Sequence, residues 1–218
     1  TNSAIAWNIG DGSMKWYFQY SPNESWDYDE NGVHLLYDTQ INGETRKVVG
    51  HYGRNGFFYQ LDRTSGSFLN ATQWVSSVTW TAGIDPKTGK PVEYDPSLDI
   101  QTYIPATRQR RADNPEIQVC PSQAGGVRWQ PAAFNPEKSL IYIAGSDACS
   151  TIKAVPEEPV TGGGNPKGYN VFFLGGTSRN TVAPGMLTAI NVTTNTVAAK
   201  NQIPYHNLAG VLATNWPA

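Results

Sequence analysis

Short apolar runs separated by turn-forming residues recur along the chain. Phe57-Phe58-Tyr59-Gln60-Leu61, Leu140-Ile141-Tyr142-Ile143 and Met186-Leu187-Thr188-Ala189-Ile190 are rich in aromatic, β-branched and other apolar residues and are bounded by turn signals. Such runs predict β-strands. No stripe with a 3.6-residue period extends beyond about three turns, so no long helix is predicted. A repeat punctuates the runs: Asp or Asn, three residues, then a small or turn-forming residue. It occurs at Asn8–Gly12, Asp62–Gly66, Asp85–Gly89, Asn135–Ser139 and Asn191–Asn195. The Asp or Asn oxygen caps a tight turn, and Gly or Asn at the far end tolerates positive φ. Each copy is therefore expected between two antiparallel strands. At a spacing of roughly 50 residues, such repeats suit the four-stranded blades of a β-propeller. The chain would supply about four blades, either a ring at the lower size limit or part of a larger one.

Two stretches break this rhythm and read as long loops over the sheet faces, where binding residues gather. Residues 95–118 are polar and carry Arg108, Arg110 and Arg111; residues 150–185 hold Gly162-Gly163-Gly164-Asn165-Pro166. The glycines match no phosphate-binding spacing.

Composition narrows the function classes. The 218 residues include 16 Lys+Arg against 18 Asp+Glu, a net charge of −2. That balance argues against nucleic acid or an anionic membrane face as partner. The 21 Gly, 15 Pro and 7 Trp suit short strands and tight turns. No window approaches the roughly 18 apolar residues of a membrane span. The sequence opens at Thr1-Asn2-Ser3 without a leader, so any signal peptide is expected to lie outside it. Cys120 and Cys149 lack the close spacing of a metal site, which leaves a disulfide or two buried thiols. His34, His51 and His206 match no triad or zinc spacing and read as structural.

Three segments then read together. Ala6-Trp7-Asn8-Ile9-Gly10-Asp11-Gly12-Ser13-Met14-Lys15-Trp16 is a variant of a tryptophan-docking motif, followed by Ser25-Trp26-Asp27-Tyr28-Asp29. Gly53-Arg54-Asn55-Gly56 runs into Phe57-Phe58-Tyr59-Gln60-Leu61-Asp62-Arg63. Cys120-Pro121-Ser122 precedes Gly125-Gly126-Val127-Arg128-Trp129-Gln130-Pro131. In this order, over essentially the whole chain, they resemble the pyrroloquinoline-quinone (PQQ)-dependent alcohol dehydrogenases, the quinoproteins that include periplasmic methanol dehydrogenase. The resemblance implies an all-β fold, a partial eight-bladed propeller, with residues 1–218 as its C-terminal half. It also implies a periplasmic address, a small alcohol substrate and a cytochrome c-type electron acceptor. The isolated chain is expected to be inactive, because the rest of the cofactor cage belongs to the other half. Its uncovered blade faces would favour a homo-oligomer, in which a second copy supplies the neighbouring blades.

The same resemblance assigns roles. Asp27 aligns with the catalytic aspartate, which ligates the metal and takes the alcohol proton. Oxidation by hydride loss needs such a base and a Lewis acid on the quinone carbonyl. Asp29, two residues on, shares a face with Asp27 if the segment is extended, so both carboxylates reach one hard cation. A second aspartate at this offset resembles lanthanide-dependent members, where calcium enzymes usually carry Ala or Ser. From composition alone, the crowding of Glu24, Asp27, Asp29 and Glu30 reads as a solvated acidic turn. Arg54 matches the basic residue on the quinone oxygens, a role suited to a planar, permanently charged donor fork. Arg128 stands where the family carries a cofactor-contacting Asn, and Leu208 where it carries Trp. The cysteines match a family disulfide, which an oxidising compartment would preserve. Two other function classes share the repeat: a non-catalytic scaffold, which has no need of Asp27 or Arg54, and a glycan-binding propeller stacking sugars on exposed Trp.

Overall fold

The computed structural model describes residues 2–24, 26, 28–101, 117–122, 125–154, 176–180 and 184–214. Among them there is no helix, so none is long and apolar enough to cross a membrane. Thirteen strands are described. They are β1 (Ser3–Trp7), β2 (Met14–Gln19), β3 (His34–Ile41), β4 (Glu44–Tyr52), β5 (Phe57–Asp62), β6 (Phe68–Gln73) and β7 (Ile117–Val119), then β8 (Ala133–Asn135), β9 (Leu140–Ser146), β10 (Ser150–Ala154), β11 (Gly176–Asn180), β12 (Gly185–Asn191) and β13 (Thr196–Ile203). All pairings are antiparallel. The sheet orders are β1-β2, β3-β4-β5-β6, β11-β10-β7 and β13-β12-β9-β8.

The all-β architecture matches the sequence expectation, although the four sheets are unequal: two have four strands, one three and one two among the described residues. The expectation of loops across 95–118 and 150–185 is corrected in part. Ile117–Val119, Ser150–Ala154 and Gly176–Asn180 are strands of one sheet, while residues 102–116 and 155–175 lie outside the described set. The chain leaves the β8-containing sheet after β9 to add β10 and β11 to the β7 sheet, then returns to pair β12 with β9. Nothing local in 150–154 signals a partner that lies far along the chain.

The repeat turns form as their chemistry dictates, four of them between paired strands and the Asp85–Gly89 copy inside an isolated Ile84–Pro91 bridge. The Gly12, Gly66 and Gly89 amides donate to the carbonyls of Asn8, Asp62 and Asp85 at 2.8–2.9 Å. Side-chain oxygens close the same turns: Asp62 Oδ1 accepts the Thr64 amide (2.8 Å), Asp85 Oδ1 that of Thr88 (2.8 Å), Asn135 Oδ1 that of Lys138 (3.0 Å) and Asn191 Oδ1 that of Thr193 (2.9 Å). All five far-end residues have φ between 52° and 74°. In three copies the ladder register shifts just before the Asp or Asn, at Ala6/Trp7, Gln60/Leu61 and Ala189/Ile190. Such bulges sharpen the local twist and end the pairing at the turn.

Core position follows strand composition. The β3–β6 sheet is covered on both faces, so β5 is buried from Phe57 to Leu61, with Gln60 its one polar side chain in that run. Its Phe58 joins Val48, Tyr52, Trp74, Ile141, Ile143 and Met186 against the β8-containing sheet. On the opposite face Phe57, Tyr59 and Leu61 join Phe18, Tyr20, Trp26, Tyr28 and Trp80. Alternate side chains of one strand thus feed two cores. The outer strand β13 is exposed along nearly its whole length. Trp16, which ends the docking motif, donates its indole N–H to the Arg63 carbonyl in the β5–β6 turn (3.2 Å), linking the β1–β2 sheet to its neighbour. Cys120 and Cys149 form a disulfide with S–S 2.04 Å. It joins the end of β7 to the start of β10, where Val119 already pairs with Ser150.

Candidate functional site

Three segments converge where the candidate residues lie: the stretch ahead of β3, the turn between β4 and β5, and the stretch ahead of β8. The first is held from within. Glu24 Oε2 accepts the amides of Trp26 (2.8 Å) and Tyr28 (3.1 Å), which pins the backbone on both sides of position 27. Asp27 itself lies outside the described residues. Trp26 is buried, its ring 5.6 Å from that of Tyr28 and 6.2 Å from that of Trp80. The Tyr28 hydroxyl donates to the Pro121 carbonyl (2.6 Å). Burial and the nearby Glu24 and Glu30 carboxylates push this phenol well above its usual range, against the opposing pull of Arg54.

Arg54 is 1% exposed, and its turn is fixed from four sides. The Arg54 amide donates to Glu30 Oε2 (3.1 Å) and the Asn55 amide to Glu30 Oε1 (3.3 Å). Asn55 Nδ2 donates to Ser21 Oγ (3.0 Å) and Tyr59 OH (3.1 Å). Trp80 Nε1 donates to the Asn55 carbonyl (2.8 Å). Gly126 has φ +62°, and a Cβ there would lie 2.7 Å from the Arg54 carbonyl oxygen, so this backbone contact admits no side chain.

The third segment reaches the first through Asn31. With its amide nitrogen turned to the carbonyls, Asn31 donates to Asp29 O (3.3 Å) and Arg128 O (3.1 Å). Arg128 is half-buried, with its guanidinium carbon 5.1 Å from the Trp129 ring centroid and a buried Nε that has no hydrogen-bond partner. Asp29 is exposed. The carboxylate that meets the Arg54 turn is that of its neighbour, Glu30.

The solvated acidic turn is therefore corrected at two of its members. Glu24 and Glu30 turn inward onto backbone amides, and the Glu30 side chain is 2% exposed. Sequence reasoning missed these anchors, because the amides that receive Glu30 lie 24 and 25 residues downstream. Among the described residues no three His, Cys, Asp or Glu side chains converge on a metal-sized space. The described donors fit an anionic, oxygen-rich cofactor, since they comprise two guanidiniums, one with an unpartnered buried Nε.

The histidines hold a second cluster. His34 and His51 stack with ring centroids 4.3 Å apart, and Tyr20 OH lies 3.0 Å from His34 Nε2. His51 Nε2 lies 3.0 Å from Glu30 Oε2. Burial, with a smaller contribution from His51, depresses His34 from 6.5 to about 4. The folded protein therefore binds fewer protons than the unfolded chain between these values. The stability His34 contributes is full above about pH 6.5 and is lost as pH falls toward 4, a loss of order 3 kcal/mol. Urea midpoints measured from pH 7 to 4 should fall less steeply in His34→Gln; parallel curves would show that His34 is not the group responsible.

This geometry defines a class: an antiparallel propeller segment that presents buried guanidinium and carboxylate groups from converging loops. Residues 1–75 match the family described as glucose/ethanol/alcohol dehydrogenase, beta-propeller domain. The quinoprotein alcohol dehydrogenase PedE of Pseudomonas putida is 35% identical over 147 residues, 67% of this chain and 22% of that protein. The lanthanide-dependent methanol dehydrogenase of Methylacidiphilum fumariolicum is 33% identical over 165 residues, 76% of this chain and 25% of that one. Among solved structures, quinohemoprotein alcohol dehydrogenase from Comamonas testosteroni superposes with TM-score 0.75 at 28% identity, covering 96% of this chain and 30% of its own. A europium-containing methanol dehydrogenase gives TM-score 0.74 at 25% identity over 94% of this chain and 33% of its own. The chain belongs to the PQQ-dependent alcohol dehydrogenase family and forms part of such a propeller. It spans about a fifth to a third of the length of these relatives.

Proposed function

We propose that this chain is the C-terminal half of the propeller of a periplasmic quinoprotein that oxidises a primary alcohol. Its cofactors would be PQQ and a calcium or lanthanide ion, and its electron acceptor a cytochrome c-type protein. The observation that carries the reading is the immobilised Arg54 turn, clamped against the Trp26–Tyr28 segment that bears position 27. When bound, the quinone supplies a two-electron acceptor and the metal a Lewis acid. Asp27 takes the hydroxyl proton of the alcohol, and Asp29 joins it as a cation ligand. Arg54 holds the quinone oxygens, and Arg128 offers its free Nε to a cofactor carboxylate.

The exposed Ile5, Trp7, Met14 and Tyr17 on β1 and β2 support an incomplete ring whose blade face a second copy covers. Light scattering that holds at one-chain mass across concentrations would overturn that pairing. The test of function is dye-linked oxidation of primary alcohols by this chain mixed with the complementary propeller half, PQQ and calcium or lanthanum. Turnover that needs all four components is expected. No turnover from a mixture that assembles and binds quinone would favour the scaffold reading.

A further inference from the structure

We infer that Glu30 is the positioning residue for the Arg54 guanidinium, acting by fixing the backbone from which that side chain springs. The inference rests on the reading of Arg54 as a quinone contact. One carboxylate, 2% exposed, gathers three N–H donors or donor-capable groups: His51 Nε2 at 3.0 Å, the Arg54 amide at 3.1 Å and the Asn55 amide at 3.3 Å. Both of its oxygens would lie 3.0 Å from a Cβ on Gly53, so the carboxylate occupies the space a side chain there would need. A buried carboxyl group is costly unless its acceptor capacity is met, and here two of its three partners are amides of the turn that carries Arg54.

The arrangement has directional consequences. Glu30 comes from the segment that also bears positions 27 and 29, whereas the donors come from the end of β4 and the turn beyond it. The carboxylate therefore ties the base-bearing segment to the guanidinium-bearing turn. His51 closes the clamp from behind: its ring is 1% exposed, stacks on Tyr20 at 4.5 Å, and cannot swing away without opening the core. A long side chain such as Arg loses much rotamer freedom when it must point one way. A backbone already held by Glu30 and by the Gly126 contact lowers the part of that cost met at cofactor binding.

The experiment reads the guanidinium directly. In the full chain, exchange of the Arg54 Nε–H with solvent is followed by NMR in wild type, Glu30→Gln, Glu30→Asp and Glu30→Ala. Glu30→Gln keeps the side-chain volume, so it remains decisive if Glu30→Ala does not fold. The expected result is acceleration of Arg54 exchange by about tenfold or more in Glu30→Gln, partial recovery in Glu30→Asp, and unchanged exchange at Arg128 and at the β5 amides. Unchanged Arg54 exchange in Glu30→Gln would overturn the inference, as would equal acceleration throughout β5. A second readout separates this inference from the reading it rests on. In the reconstituted mixture, Glu30→Gln should raise the PQQ concentration for half-maximal activity about tenfold, and should add nothing to the effect of Arg54→Gln. No effect from Arg54→Gln would remove Arg54 from the quinone site while the exchange result stands. An effect from Arg54→Gln, with Glu30→Gln silent or additive, would remove Glu30 alone.

Discussion

Replacing Asp27 by Ala or Asn should abolish quinone-dependent alcohol oxidation, with a loss of about 10²–10⁴ in turnover if the carboxylate serves as general base alone. Removal of a cation ligand by the same change would deepen the loss. The physical case begins next door. Glu24 pins the amides of residues 26 and 28, and Trp26 is locked among Tyr28 and Trp80, so both chain neighbours of Asp27 are held in place. Asp27→Glu lengthens the arm by one methylene and should also fail. The check is single-turnover kinetics of the reconstituted protein together with quinone affinity. Turnover within about tenfold of wild type in Asp27→Ala would exclude it as the base.

Trp80→Ala should cost about 3–5 kcal/mol in unfolding free energy, the range for emptying a buried indole site. Trp80 is fully buried, with rings of Trp26, Tyr28 and Phe57 centred 6.1–6.4 Å away. The change also leaves the Asn55 carbonyl without its 2.8 Å indole donor. Trp80→Phe retains most of the volume and loses that hydrogen bond, so about 1–3 kcal/mol is expected for it. Since small domains hold a net stability of only about 5–15 kcal/mol, the alanine variant should lose a large fraction of its total. Urea unfolding followed by tryptophan fluorescence measures both. A cost under about 1 kcal/mol for Trp80→Ala would mean that the aromatic core closes over the gap, contrary to rigid packing.

The two effects share an origin. Trp80 supports the turn from which Arg54 extends and also the ring of Trp26, which precedes position 27. Stability and site geometry therefore rest on the same aromatic cluster, and variants that loosen it should lose quinone affinity before they lose the fold.

Local chemistry is legible in this sequence. The Asp/Asn-to-Gly turns formed at all five copies because their hydrogen bonds close within four or five residues and need no distant partner. Strands β5, β9 and β12 were readable as apolar runs, the residue motifs carried the family, and the family resemblance implied the Cys120–Cys149 bond that the cysteines alone left open. Contacts that cross the chain had no such signature. The strands β10 and β11 look like loop because β10 pairs with β7 some 30 residues earlier and with β11 more than 20 residues later, and their own composition is largely polar. Glu24 and Glu30 read as members of a solvated acidic turn, since charge crowding is visible in sequence and the receiving amides are not. Whether a carboxylate faces water or a backbone turn is decided by the fold around it, and here the sheet brings residues 51, 54 and 55 onto Glu30. The stacking of His34 on His51 follows from their pairing across β3 and β4, a register set by the whole hairpin rather than by either histidine. Sequence alone thus determined the turns, the strand-forming runs and the family. Tertiary structure alone decided which acids are buried and which loops meet, because desolvation and long-range hydrogen bonding depend on neighbours that only the folded chain assembles.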